Sequence, residues 1–235
     1  MKRALWAGVS AVVILSVAGS GFAAQPATAP AASVPSGSER FKAIYTEEWR
    51  WRANELGSSD DTPVDGRALP DHLPSETPAT HAARLAKWEG VLKQLDTIVP
   101  AELSGDDAVN YAIYRMQIEN LIASEKFRYW EMPLNSDSAF WSNLTISSRR
   151  TFRSEKNYRS YLGQLRDQPR YFREQIANMR AGLKRGFTPP QVTLNGRDKS
   201  IQDVIDAGVG DTNPFYAPFL EMPASIPAER QAELR

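Results

Sequence analysis

From Phe41 to Leu183 apolar residues return at intervals of three and four, and each run of them is closed by proline or glycine. A period of 3.6 lines such residues up on one stripe of an α-helix, whereas a half-buried strand needs strict alternation. The pattern therefore restricts the chain to helices packed on helices. Ser36 and Glu39 have the spacing of a capping box, and Phe41, Ile44, Tyr45, Trp49, Arg52 and Leu56 follow at helical intervals up to Gly57, which predicts a first helix. A polar stretch with Pro63, Gly66, Pro70 and Pro74 holds too many breakers for a regular element and is expected to be a long irregular connection. Thr77 then caps and Pro78 opens a second helix, whose stripe of Leu85, Trp88, Leu92 and Leu95 runs on until Pro100.

A third helix begins within Ser104 to Asp107. Its apolar side chains fall on two faces, Val109, Ile113 and Met116 on one and Tyr114, Ile118, Leu121 and Ile122 on the other, which predicts burial on most sides. Glu131 to Arg153 has no clean period and reads as a structured loop carrying Phe140 and Trp141. Ser154 caps a fourth helix with Tyr158, Tyr161, Leu162 and Leu165 facing inward. Pro169 is expected to end it and to start a fifth, with Phe172, Ile176, Met179 and Leu183 inward and Gly186 as the stop. Thr188 to Val192 is extended by its prolines, and Ser200 to Ala207 forms a short sixth helix ending at Gly208. Pro227 to Arg235 resembles the first two turns of another helix with neither a stop signal nor an apolar face, so the chain is expected to be truncated at its C-terminus. No convincing strand pair is present, and the fold class is all-α.

Lys2 and Arg3, an apolar stretch from Ala4 to Phe22 and the small-residue pattern Gly21-Phe22-Ala23 read as a signal peptide over residues 1–23, cleaved after Ala23. That stretch is near the lower limit of a bilayer span, so an uncleaved anchor is the alternative. Either way the expected destination is periplasmic or secreted, with no membrane contact after signal cleavage. Residues 24–38 are small, proline-rich and uncharged as far as Ser38, too poor in apolar area to order themselves, and read as a flexible linker. The expected helical domain is 39–235, long enough for a sizeable core at 42% hydrophobic residues across the chain.

Composition excludes several function classes. The absence of cysteine removes disulfides, thiolate metal sites, cysteine nucleophiles and a lipoprotein anchor. With 28 basic and 28 acidic side chains, loss of Lys2 and Arg3 leaves a net charge of −2, which offers nucleic acid no electrostatic footprint. A zincin site needs two histidines one helical turn apart with a glutamate between them, and this chain has only His72 and His81, nine positions apart. His72 falls in the proline-rich connection and His81 in the first turn of a helix, where an exposed or cap-associated histidine is expected. A Gly-x-Ser-x-Gly nucleophile elbow is missing, and Gly208-Val209-Gly210 reads as turn punctuation rather than a dinucleotide loop.

The adjacent carboxylates Glu47-Glu48 and Asp106-Asp107 point in different directions on a helix and read as surface charge. Arg149, Arg150, Arg153, Lys156 and Arg159, with Phe152 and Tyr158 interleaved, can grip a phosphate or an acidic peptide terminus, or form a solvated helix entrance neutralised by Glu155, Asp167 and Glu174. Phe140 and Trp141 either line a cleft or pin the loop to the core. No residue is assigned as catalytic or as a metal ligand. The candidates for substrate binding are Phe140, Trp141, Arg149 and Arg150, because an irregular aromatic and basic segment suits a peptide cleft.

Four stretches carry a family resemblance: Met132-Pro133-Leu134-Asn135; Tyr158-Arg159-Ser160-Tyr161-Leu162-Gly163-Gln164-Leu165; Met179-Arg180-Ala181-Gly182-Leu183-Lys184-Arg185-Gly186-Phe187-Thr188-Pro189-Pro190; and Asn213-Pro214-Phe215-Tyr216 leading to Met222-Pro223. They resemble the bacterial domain-of-unknown-function 885 family (DUF885), whose members look like zincin-type metallopeptidases. The resemblance implies the N-terminal helical part of a larger, exported, zinc-dependent peptidase-type hydrolase, forming one wall of a channel for a peptide substrate. Zinc is expected for the full-length family member, held by a His-Glu motif and a Gly-His pair in a C-terminal half that these residues do not include. The alternative is a non-catalytic helical envelope binding module.

Overall fold

The computed structural model describes residues 35–56 and 70–235. The predicted leader and most of the predicted linker lie outside the described residues. Helix α1, Gly37–Glu55, opens with the expected capping box: the Ser36 hydroxyl accepts from the Glu39 amide at 3.2 Å, and Glu39 accepts from the Ser36 amide at 2.8 Å. It thus takes up Gly37 and Ser38, the last two residues assigned to the linker. Helix α2, Pro78–Leu95, has the Thr77 cap and the proline at its first position. A 3₁₀ turn at Pro100–Glu102 leads into α3, Asp107–Lys126.

These three helices share one core. Trp88, Val91, Leu95, Ile98, Ile118 and Ile122 fill it, and Phe41 stands edge-on to Tyr45, Tyr111 and Tyr114. Each such large apolar side chain contributes about 1.5–3 kcal/mol by leaving water. Helix α3 buries one face only. Val109, Ile113 and Met116 are exposed, Val109 by 62%, so the second apolar face read from the sequence has no described element covering it.

The segment expected as a loop folds in part. A 3₁₀ turn at Tyr129–Glu131, an isolated antiparallel bridge between Leu134 and Ala139, and the short helix α4, Ser142–Ser147, carry the chain to α5. Helix α5, Glu155–Lys184, is 30 residues long and continues unbroken past Pro169, where a break was expected. Pro169 has no amide to give the Leu165 carbonyl, but it faces solvent, where water can take up that carbonyl.

The buried side of α5 is tied down by polar bonds. The extended residues 70–76 lie along it like a strap. Gln164 Nε2 donates to the Pro70 carbonyl (2.8 Å), the Leu73 amide donates to Asp167 Oδ2 (2.8 Å), and Arg170 Nη2 donates to the Leu73 carbonyl (2.8 Å). Further along, the Glu76 amide donates to Glu174 Oε2 (2.7 Å), and Asn178 Nδ2 donates to the Glu76 carbonyl (2.7 Å). The irregular segment thereby finds on a helix face the backbone partners that a sheet would otherwise supply. Gly163 lets it approach, since a Cβ there would collide with the Asp71 carbonyl. Ile176 and Leu183 are exposed, Leu183 by 68%, which corrects their inward assignment, while Gln175, Asn178 and Gly182 are buried.

The first half of α5 builds a second core. Tyr158 and Tyr161 pack against Phe219, Ile226 and Leu234, and their hydroxyls donate to the Pro218 and Phe215 carbonyls at 2.9 and 2.8 Å. A 3₁₀ turn at Gln191–Leu194 occupies part of the stretch expected to be extended. Helix α6 (Lys199–Asp206) then stops at Gly208, whose φ is +63°, and α7 (Ala217–Leu220) and α8 (Ala228–Leu234) follow. Leu234 alone of that last segment is buried, in the second core, so the segment is anchored there although its sequence shows no apolar face. The described residues contain no strand, and no described helix is long and apolar enough to cross a membrane.

Candidate functional site

Helices α1 and α3 run side by side in the same direction: Ser38 meets Ser104, Phe41 meets Tyr111, and Glu48 meets Tyr114. Phe41, Tyr45, Trp49 and Arg52 form a ridge on α1 at helical spacing, and Asp107, Asn110, Ile113, Tyr114 and Gln117 form the facing ridge on α3. Between them lies an open groove of about 610 Å³. Trp49 and Ile113 stay about half exposed along it. The side chains of Asn110 and Gln117 make no hydrogen bond to the described protein.

Beneath the groove sits Glu48, 1% exposed. Its Oε1 accepts from Trp88 Nε1 at 2.9 Å and pairs with Arg52 Nε at 3.2 Å, while Oε2 accepts from the Tyr114 hydroxyl at 2.9 Å. A carboxyl group removed from water needs partners of this kind to replace its lost hydration. Burial, reinforced by Glu48, pushes the Tyr114 phenol far up, which keeps it a neutral donor. Arg52 gives Glu48 its Nε, and its two terminal nitrogens have no other partner among the described residues. Its guanidinium lines the groove with those donors unused. Reading Glu48 as surface charge is therefore corrected. The available signal was its phase, since position 48 falls seven residues after Phe41 on the same stripe.

A second polar cluster surrounds His81, which is 4% exposed: the expectation of an exposed histidine is corrected, while its place against Glu76, the residue before the Thr77 cap, agrees with the cap-associated alternative. Nδ1 is 3.0 Å from Glu125 Oε2, Nε2 is 3.1 Å from Glu76 Oε2 but out of line for a hydrogen bond, and the ring stacks on Trp130 with centroids 4.4 Å apart. Burial pushes the imidazole pKa down, but the Glu125 hydrogen bond and the close carboxylates of Glu125 and Glu76 outweigh it and hold the pKa above its ordinary value. Arg84 joins the cluster through Glu55, Glu76 and the Ser75 carbonyl. His81 is in phase with Leu85, Trp88, Leu92 and Leu95, a signal that it would be buried. His72, by contrast, is exposed beside Asp71.

Phe140 is buried edge-on to Trp141, Tyr171 and Phe172, and so fixes its loop to α5. Trp141 is half-buried and donates to Ser200 Oγ at 2.9 Å. Arg149 is exposed and Arg150 half-buried. None of these four lines the α1/α3 groove or the cavity of about 500 Å³ beside His81 and Trp130. Within the basic cluster, Arg159 pairs with Glu155 at 2.6 Å. Asp167 and Glu174 pair instead with Arg170 and the strap. Among the described residues no group of three His, Asp or Glu side chains is placed to hold a metal. The carboxylates at His81 are turned to its ring nitrogens, so this cluster presents no open set of ligands to a zinc ion.

Against known proteins, the model of the family described as "Bacterial protein of unknown function (DUF885)" matches residues 52–235. The match takes in Arg52 and the α3 ridge and leaves Phe41, Tyr45 and Trp49 outside it. No curated protein and no solved structure matches the chain.

Proposed function

Since the chain belongs to the DUF885 family of bacterial proteins, we propose that it acts in an exported peptidase-type hydrolase, in which the α1/α3 groove is one wall of a peptide channel. The observation that carries this reading is the groove itself, which has aromatic walls, unbonded side-chain amides and a guanidinium anchored from below with its outer donors unused. Aromatic faces take up side chains and amide groups take up a peptide backbone, the usual division of labour in a ligand cleft. The part played by these residues is to bind and orient. The zinc implied by the resemblance would be held by residues beyond those described. Residues 1–23 are proposed as the export signal, which places the mature chain in the periplasm or outside the cell.

The second reading, a non-catalytic envelope module, is favoured by the same groove, which can bind a ligand without any metal cluster among the described residues. One experiment separates the two. The native protein is purified from the periplasmic fraction, its N-terminus is sequenced, and peptide hydrolysis is assayed with zinc and with a chelator. Export requires a start at Ala24. Zinc-dependent cleavage that weakens in Trp49→Ala supports the hydrolase, and peptide binding without cleavage supports the binding module. No effect of Trp49→Ala on either property overturns the groove as the site.

A further inference from the structure

The groove carries opposite charges at its two ends. Asp107 lines it where α3 begins, with Asp106 beside it, and neither has a basic partner among the described residues. Of the basic side chains of α1 at that end, Arg40 is already paired with Glu102 at 2.7 Å, and Lys42 is exposed but does not line the groove. Arg52 lines the other end, level with Gln117, because Glu48 one turn earlier bonds to Tyr114. Glu48 lies behind Arg52, and Glu55, the next carboxylate on α1, is held by Arg84. From Asp107 to Gln117 is ten residues of helix, a rise of about 15 Å. An extended peptide advances about 3.3 Å per residue, so four or five residues bridge the two ends.

Resting on the reading of this groove as a peptide surface, we infer that it takes short extended peptides with free termini, the carboxylate at Arg52 and the ammonium at Asp107. Charge complementarity sets the polarity. The partial charges of the parallel helices oppose it, since α3 begins and α1 ends with the wrong sign. Those amount to about half a unit each and are spread over a helix end, whereas Asp107 is a full charge with no basic partner among the described residues, and Arg52, although Glu48 offsets its charge from behind, presents two outer donors that can hold a carboxylate by direct hydrogen bonds. Between the ends, Asn110, Gln117 and Thr46 can exchange hydrogen bonds with the peptide backbone, and Tyr45, Trp49 and Ile113 can pack on its side chains. A lipid or other purely apolar ligand would leave those amides unpaired at a cost.

The test is calorimetric titration of the full exported chain with alanine–phenylalanine–leucine peptides of two to eight residues, free or blocked by N-acetylation or C-amidation. Binding is expected to peak at four or five residues, and each block should weaken it about fivefold, the size of one exposed ion pair. Arg52→Gln should erase the effect of amidation and Asp107→Asn the effect of acetylation. The blocked peptides make the same test on the unaltered protein, so instability of Arg52→Gln does not weaken it. Equal binding of free and blocked peptides, with both weakened in Trp49→Ala, overturns the end recognition and leaves the groove as a peptide surface. If no peptide binds, both fall.

Discussion

The α1–α3 bundle and the strapped face of α5 are both buried, and they are held by opposite means. In the bundle, Trp88, Val91, Leu95, Ile118 and Ile122 exclude water, and in their midst Glu48 gathers the donors of Trp88, Tyr114 and Arg52. On α5, Gln164, Asp167, Arg170, Glu174 and Asn178 each bond to the backbone of residues 70–76, while Ile176 and Leu183 on the same helix face water. Apolar burial is non-directional and scales with area, so it gives a cooperative unit. Bonds between side chains and backbone are directional and individually worth about 1 kcal/mol net, so they can open one stretch at a time.

That contrast is tested most severely in the bundle. Leu95 is fully buried, and Leu95→Ala should cost about 2–5 kcal/mol through lost transfer energy and a cavity. Chemical denaturation should show the whole amount, with amide exchange accelerated throughout α1–α3. A loss confined to amides near position 95 would show that the bundle is not the cooperative unit. On α5, Gly163→Ala drives a methyl group into the Asp71 carbonyl, which should cost about 1–3 kcal/mol. There the exchange measurement should find the Leu73 and Glu76 amides released while the bundle stays protected. Uniform loss of protection would mean that strap and bundle open together and are one unit.

The same contrast decides what could be read from the sequence. The all-α class, the Ser36–Glu39 capping box, the Thr77 and Ser154 caps and the stripe Leu85, Trp88, Leu92, Leu95 follow from local chemistry and a 3.6 period, and the structure has them. The strap was not legible, because Gln164, Asp167 and Asn178 look like solvent-facing residues until a distant backbone is laid against them. The exposed side of α3 misled for the complementary reason, since an apolar face identifies a surface that can be covered, not one that is. Of the candidate site, Phe41, Tyr45, Trp49 and Arg52 were visible as one helical stripe, yet nothing in α1 said that α3 would run parallel beside it. Phe140, Trp141, Arg149 and Arg150 were chosen for composition, and the structure turns Phe140 to the helix. Gly163 and Gly182, inside two of the stretches that carry the resemblance, are explained only by the carbonyls of Asp71 and Glu131 lying against them.

Pro169 sharpens the comparison from the other side. If polar ties and not propensity hold α5 together, restoring an amide there should help without altering the strap. Pro169→Ala lets residue 169 donate to the Leu165 carbonyl and removes a residue that costs about 3 kcal/mol in a helix interior. The net gain should be smaller, about 1 kcal/mol, because the solvent-facing carbonyl already has water and the unfolded chain gains freedom. Thermal unfolding should show a higher Tm. A lower Tm would mean that the proline shapes α5 to fit residues 70–76.

The smallest effect expected is at the contact between the two regions, where His81 on α2 meets Glu76 of the strap and Glu125 of α3. Its folded pKa is raised above that of the unfolded chain. The protonated ring thus stabilises the fold fully below the ordinary histidine value, and this contribution disappears as pH rises through the higher folded value. Asp167 behaves oppositely. The Arg170 hydrogen bond, against the opposing push of burial and with help from the Leu73 amide, holds its pKa below the carboxylate range. Its contribution is present above the ordinary aspartate value and is lost as pH falls through the depressed one. The strap should therefore loosen from its α5 side as pH falls through the depressed aspartate value and from its α2 side as pH rises through the raised histidine value. The histidine effect is the weaker because burial opposes the carboxylates that raise it. Amide exchange at Glu76 against pH, in the native chain and in His81→Gln, would resolve it: only the alkaline rise should vanish in the variant. An unchanged alkaline rise would mean that the imidazolium does not hold the two regions together.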